Sequence, residues 1–299
     1  MSSTAADLRH LEIPGVATFS DTASGLVRLD IATSLATAEI WLQGAHIARY
    51  QPAGCAPVLF LSASSLFAPG KAIRGGVPVI FPWFGPRAGH PESPAHGFAR
   101  TMPWHIESLS CADGASLSLT LRLDSDDATR ALWPHDFILR HRIAIGAHLG
   151  MTLGVTNTSA APFQFEEALH TYLAVADVRQ ASVSGLEGVT YIDKVDRLAR
   201  KTQDAAPIRI TGETDRVYLD TAATCILTDP GLTRRVTVET SGSRSTVLWN
   251  PWVAKAHAMA DFGDDEWPGM ICIETANAAD NALTLAPAAT HTMRAAVRV

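Results

Sequence analysis

Cysteine is scarce in this chain, and its placement excludes more than its number does. Cys55, Cys111, Cys225 and Cys272 are widely separated, with no CxxC pair and no zinc-type spacing. A chain of 299 residues can bury a large core without disulfide staples, so reduced thiols in a cytoplasmic protein are expected. A basic run is also missing: 24 Lys and Arg stand against 30 Asp and Glu, a net charge of -6, which argues against a nucleic-acid partner. No stretch approaches the ~18 uninterrupted apolar residues of a membrane helix. The opening MSSTAADLRHLEIPG has neither the basic start nor the apolar stretch of a secretory signal. No membrane association is expected. GxGxxG at a strand-to-helix turn, GxxxxGK followed by Ser or Thr, GxSxG and HExxH are all absent, which removes the usual nucleotide-binding, serine-hydrolase and zinc-protease readings.

Long helical periodicity is lacking too. The best helical candidates, Asp126 to Leu132 and Val253 to Ala260, are shorter than a helix needs to stand alone. What the chain has instead is strand-like text. Leu117, Leu119, Leu121 and Leu123 alternate with Ser118, Thr120 and Arg122, the period-two pattern of a half-buried strand. Further strands are expected at Leu26 to Ile31, Ala38 to Leu42, Val58 to Leu61, Phe137 to Ile145, Met151 to Val155, Phe163 to Val175, Arg235 to Glu239, Thr246 to Trp249, Met270 to Thr275 and Thr290 to Val299. With 47% hydrophobic residues, this pattern predicts an all-β protein of large packed antiparallel sheets with a few short helices. No internal repeat or linker divides it, so residues 1–299 are read as a single domain.

One stretch departs from strand text. Ile73 to Arg100, IRGGVPVIFPWFGPRAGHPESPAHGFAR, holds three arginines, two histidines, five prolines, five glycines and four large aromatics. Gly75 and Gly76 permit a left-handed turn or a close backbone approach. Arg74 and Arg100, if they converge, suit a phosphate or carboxylate; Arg87, inside the Pro/Gly-rich part, reads as a solvated loop residue.

Candidate chemistry lies further along. In Phe163 to Val175, alternation puts Glu166, Ala168, His170 and Tyr172 on one face and Phe165, Glu167, Leu169 and Thr171 on the other. His170 could be a general acid or an ordinary hydrogen-bonded histidine. The Glu167/His170 spacing could hold a metal on a helix, but strand parity separates the two, so no metal is expected. Met270, Cys272 and Glu274 share a face; a carboxylate there is either solvated at the edge or held in a cleft with a raised pKa, fit to act as a base. Asp215 sits in ITGETDRVYLD, which could be a polar turn. Trp83, Phe84, Trp249 and Trp252 offer flat faces for a sugar ring or for core packing.

Taken in order, IRGGVPVIFPWFG, HGFAR, EALHTYL, GETDRVYL, LWNPW and CIE resemble the hexose-6-phosphate mutarotases of the aldose 1-epimerase superfamily, over about 200 residues from Arg74 to Glu274. The ordered set is specific where each string alone is weak. The resemblance implies a galactose mutarotase-like β-sandwich of one domain and a cofactor-free reaction on a sugar phosphate; a monomer is expected over an obligate oligomer. It implies that His170 and Glu274 are catalytic and that Arg74, Arg100 and Asp215 bind substrate. His96 either positions substrate or braces its loop. The branch acting on unphosphorylated aldoses carries its histidine in an NHxYFNL-like string, which EALHTYL is not. One departure is Ala95, where some members have Gln before HGxAR. A glycosidase would need two carboxyl groups at the scissile bond, and a non-catalytic sugar-binding module on the same fold is the other alternative.

Overall fold

The computed structural model describes residues 3–299. Two eight-stranded antiparallel sheets dominate it. The back sheet runs Ser182–Ser184, Cys225–Asp229, Arg234–Ser241, Thr290–Arg298, Leu149–Asn157, Phe137–Ile145, Leu117–Asp124, His105–Cys111. The front sheet runs Ala199–Thr202, Thr190–Asp193, Thr214–Leu219, Ser245–Asn250, Met270–Asn277, Glu167–Leu169, Val79–Ile80, with Tyr172–Ala174 also paired to Met270–Asn277. Thus the all-β expectation holds. A four-stranded sheet, Ala17–Asp21, Val27–Ala32, Ala36–Trp41 and His46–Pro52, precedes them, and Phe163–Phe165 pairs with Leu283–Leu285.

Alternation decides what each sheet buries. Leu139, Leu153 and Val297 of the back sheet, Leu248, Ile271 and Ile273 of the front sheet, and Leu29, Ile40 and Ile47 of the first sheet belong to one buried cluster. Burying side chains of this size removes roughly 1.5–3 kcal/mol of unfavourable hydration each. On the back sheet the opposite positions are polar, as at Thr152 and Arg142, so that face meets water. The front sheet is different: its outer face is covered as well, and all eight residues of Met270–Asn277 are buried. This second covering makes the cavity described below.

Two sequence expectations need correction. Phe163 to Val175 is not one strand but three, interrupted at Glu166 and at His170–Thr171. Glu166 leaves the ladder because its carboxylate accepts from the backbone N–H groups of Phe84 and Ala279. Val58 to Leu61 makes only isolated bridges, at Leu59 and Leu61. Where the sequence left a polar turn open at Glu213 to Asp215, Thr214–Leu219 is a regular strand beside Ser245–Asn250. The two short helices are present as Asp127–Leu132, capped by Asp126, and Trp252–Ala258.

Candidate active site

The cavity, about 450 Å³, lies on the outer face of the front sheet. Its floor follows from strand parity: Ile271 and Ile273 turn to the core, leaving Cys272 and Glu274 on the other side. Register places Tyr172, Cys272, Trp249 and Asp215 in one cross-strand row, with Glu274 two residues further along its strand. One wall comes from the 73–100 stretch, through Arg74, Phe84, His96 and Arg100. The other comes from the crossover after Asn250, through Lys255 and Met259. Two glycines let the first wall close: Gly76 has φ +60 and its added Cβ would strike Ile47 O, while Gly97 has φ +70 and would strike Phe81 O.

His170 stands in the gap between two strands. Its N–H donates to Pro78 O at 3.0 Å, its ring stacks on Tyr172 with centroids 4.7 Å apart, and its Nε2 lies 3.3 Å from Glu274 Oε1. Both residues are nearly sealed, at 6% and 1% exposure, and neither His170 Nδ1 nor Glu274 Oε2 has a hydrogen-bond partner among the described residues. Burial drives the Glu274 carboxyl well above the carboxylate range; Asp215 adds to this, and Lys194 and Arg100 oppose it. Burial also drives His170 well below the usual imidazole value, helped by His96, Arg100 and Arg74. Both directions favour neutral forms, a coupled pair holding one exchangeable proton. Donor atoms of His170, Cys272 and Glu274 lie within 4.8 Å of one another, close enough to consider a metal. Without an ion, burial pushes the Cys272 thiol well above its usual value, so it stands as a neutral thiol beside the pair.

Four cations line the cavity: Arg74, Arg100, Lys194 and Lys255. Arg74 donates from Nε and Nη2 to Asp261 Oδ2 at 3.2 and 3.0 Å, and from Nη1 to Tyr172 Oη at 3.1 Å. Lys194 Nζ sits 3.3 Å from Asp215 Oδ2, and Lys255 Nζ 3.2 Å from Glu213 Oε1. Arg100 donates Nη2 to Ala95 O at 2.8 Å and has no carboxylate partner among the described residues. Burial, with Arg74 beside it, lowers its guanidinium to about 10.

Every residue named from the sequence as catalytic or substrate-binding, namely Arg74, His96, Arg100, His170, Asp215 and Glu274, lines this one cavity. His96, held at φ +65, takes a hydrogen bond on Nδ1 from the Gly85 N–H at 3.3 Å, and its ring is 5.7 Å from that of His170. It thus braces the loop while facing the floor. Phe84 and Trp249 line the cavity, but Trp83 does not: its Nε1 donates to Pro94 O. Trp252 is likewise elsewhere, packed on Trp267 at 4.2 Å. Arg87 is not a solvated loop residue, because it lies over Trp83 at 4.7 Å and donates to Leu132 O. Sequence reasoning missed Lys194, Lys255 and Asp261. The signal for the last two was a short helix directly after LWNPW, where a crossover between two site-bearing strands must cover the sheet.

Comparison with known proteins agrees with this geometry. The family description "Aldose 1-epimerase" matches residues 27–298. An Escherichia coli (strain K12) protein named "Putative glucose-6-phosphate 1-epimerase" is 39% identical over 239 residues, 80% of this chain and 79% of its own. One from Cenchrus ciliaris with the same name is 36% identical over 260 residues, 84% and 77% of the two chains. A Salmonella typhimurium crystal structure described as a "putative mutarotase (YeaD)" superposes with a TM-score of 0.89 at 32% identity, covering 96% of this chain and 94% of that one. With the match running through both sheets and the whole cavity, the chain belongs to the aldose 1-epimerase family and is an isomerase.

Proposed function

We propose that this chain interconverts the α and β anomers of a hexose 6-phosphate, glucose 6-phosphate foremost, with His170 and Glu274 as the acid/base pair. The observation that carries the reading is the pair itself: two buried groups 3.3 Å apart on the floor of a cavity walled by cations. The pair's proton first passes from Glu274 to His170 across the 3.3 Å gap, leaving carboxylate and imidazolium; Glu274 then takes the proton of the C1 hydroxyl while His170 protonates the ring oxygen, the bond from C1 to the ring oxygen breaks and C1 becomes an aldehyde. After rotation about the bond from C1 to C2 the two groups exchange roles and the ring closes on the other face. The pair gains one proton and loses one in each direction. Positioned transfer of this kind contributes ~10²–10⁴-fold. A bound phosphate would neutralise Arg74 and Arg100, two of the charges that push His170 down, and so favour the imidazolium that donates to the ring oxygen. Asp215 accepts from a sugar hydroxyl, Arg74 and Arg100 hold the phosphate, and Phe84 and Trp249 pack on the ring. The relatives named for glucose 6-phosphate support this substrate. The reading treats residues 1–299 as one working unit without cofactor.

The test is polarimetric anomerisation of glucose 6-phosphate and of glucose by the same preparation. An anion-selective site gives at least about a tenfold preference in kcat/KM for the phosphate, about 1.4 kcal/mol. Equal rates would favour the unphosphorylated-aldose reading, for which the carboxylate partners of Arg74, Lys194 and Lys255 speak. Binding of either sugar without turnover would leave a binding module.

A further inference from the structure

We propose that Lys255 is a third arm of the phosphate site, held by Glu213 in the free enzyme and exchanged onto the phosphate when substrate enters. This rests on the sugar-phosphate reading above. A phosphate monoester brings three acceptor oxygens and close to two charges at neutral pH, more than the unoccupied donors of one arginine can serve well. Arg74 has three of its five N–H groups engaged by Asp261 and Tyr172. Lys194 is engaged by Asp215, whose charge acts on Glu274, so it belongs to the reacting end. Only Arg100 has no carboxylate partner among the described residues.

Lys255 is placed and free to move. It lines the same cavity, and its charge acts on His96 together with those of Arg100, Lys194 and Arg74. Its partner is weakly held: the Lys255 and Glu213 side chains are 40% and 32% exposed, and an ion pair so open to water contributes little stability. An ammonium on a four-carbon stem reorients at small cost compared with an arginine fork. The helix that carries it does not depend on it. Asn250 Nδ2 donates to Trp267 O and Met270 O, Asn250 Oδ1 accepts from Trp252 N, and Trp252 packs on Trp267. A substitution at 255 therefore probes the ligand contact and not the fold of the segment.

The experiment uses the full chain, glucose 6-phosphate and glucose as substrates, and inorganic phosphate as competitive inhibitor. Lys255→Met raises KM for glucose 6-phosphate and Ki for phosphate by the same factor, about tenfold, with kcat and the KM for glucose moved less than about threefold. Lys255→Arg restores most of both. Glu213→Gln acts in the opposite direction and lowers Ki for phosphate, because the competing carboxylate is gone. The proposal is overturned if the Lys255→Met Ki for phosphate equals the wild-type value, or if KM for glucose rises in parallel, which would mark a structural role. Should the wild type prove to prefer glucose, the sugar-phosphate reading fails on its own account, while the phosphate Ki comparison still decides whether Lys255 meets an anion.

Discussion

Two buried glutamate–histidine pairs stand on opposite faces of the front sheet, and they are built to opposite ends. Glu167, between the sheets, lies 3.0 Å from His291 Nε2 and accepts from Asn277 Nδ2 at 2.9 Å. Burial lowers the His291 pKa, but the hydrogen bond and charge of Glu167 outweigh it and the net shift is upward, which favours the imidazolium. Glu274 and His170, on the cavity side, are 3.3 Å apart with no neutral donor such as Asn277 between them, and burial pushes both toward their neutral forms. The first pair ties the back-sheet strand Thr290–Arg298 to the front sheet. Both pairs leave a glutamate Oε2 unpartnered, but only the second also leaves its histidine Nδ1 unpartnered, a state that costs stability and is retained where chemistry needs a movable proton.

Substitutions separate the pairs most sharply in turnover. His170→Asn and Glu274→Gln are each expected to cut kcat by ~10²–10⁴-fold, with the double variant little worse than either, since the two act as a unit; steady-state polarimetry checks it. Glu167→Gln should do the reverse, keeping kcat within about threefold while losing roughly 3 kcal/mol of unfolding free energy in a denaturant titration, as breaking a buried pair does.

A smaller effect is the pH dependence of the Glu167–His291 pair. The folded pKa of His291 is raised above 6.5, so the pair's stabilisation is complete below about pH 6.5 and is lost as pH rises through the folded value. The Tm gap between wild type and His291→Asn is therefore wider at pH 6 than at pH 9. Smallest, and opposite in sign, is the stability of Glu274→Gln. A carboxyl whose folded pKa is raised stabilises only below about 4.5 and becomes a burden as pH rises, so at neutral pH the inactive variant should melt about 2 °C higher than wild type.

Much of this was legible in the residues. Alternation read Leu117 to Leu123 and Phe137 to Ile145 correctly because each strand has one wet face and one dry face. Parity also kept His170 and Glu167 apart, even though the strand carrying them is broken. The breaks themselves were not legible: Glu166 leaves the ladder for partners at Phe84 and Ala279, which are far away in sequence. Asp215 stayed ambiguous for a related reason. Its strand has both faces covered, so Thr214–Leu219 shows no alternation. Lys194, Lys255 and Asp261 could not be found by spacing, because only the sheet order brings the crossover and the 73–100 stretch to opposite walls of one cavity. The stretch from Ile73 to Arg100 stood out by its density of Arg, His and Gly, and its residues supply a cavity wall, while the proposed proton-transfer pair comes from the floor.

The central claim is that the cavity-side pair, and not the pair between the sheets, moves the protons of ring opening. Exchange NMR on equilibrated α and β glucose 6-phosphate, with catalytic amounts of wild type, Glu274→Gln and Glu167→Gln, tests it most directly. The account predicts fast exchange cross-peaks with wild type and Glu167→Gln, and exchange at the buffer rate with Glu274→Gln. Undiminished exchange with Glu274→Gln, confirmed as folded by its Tm, would contradict it.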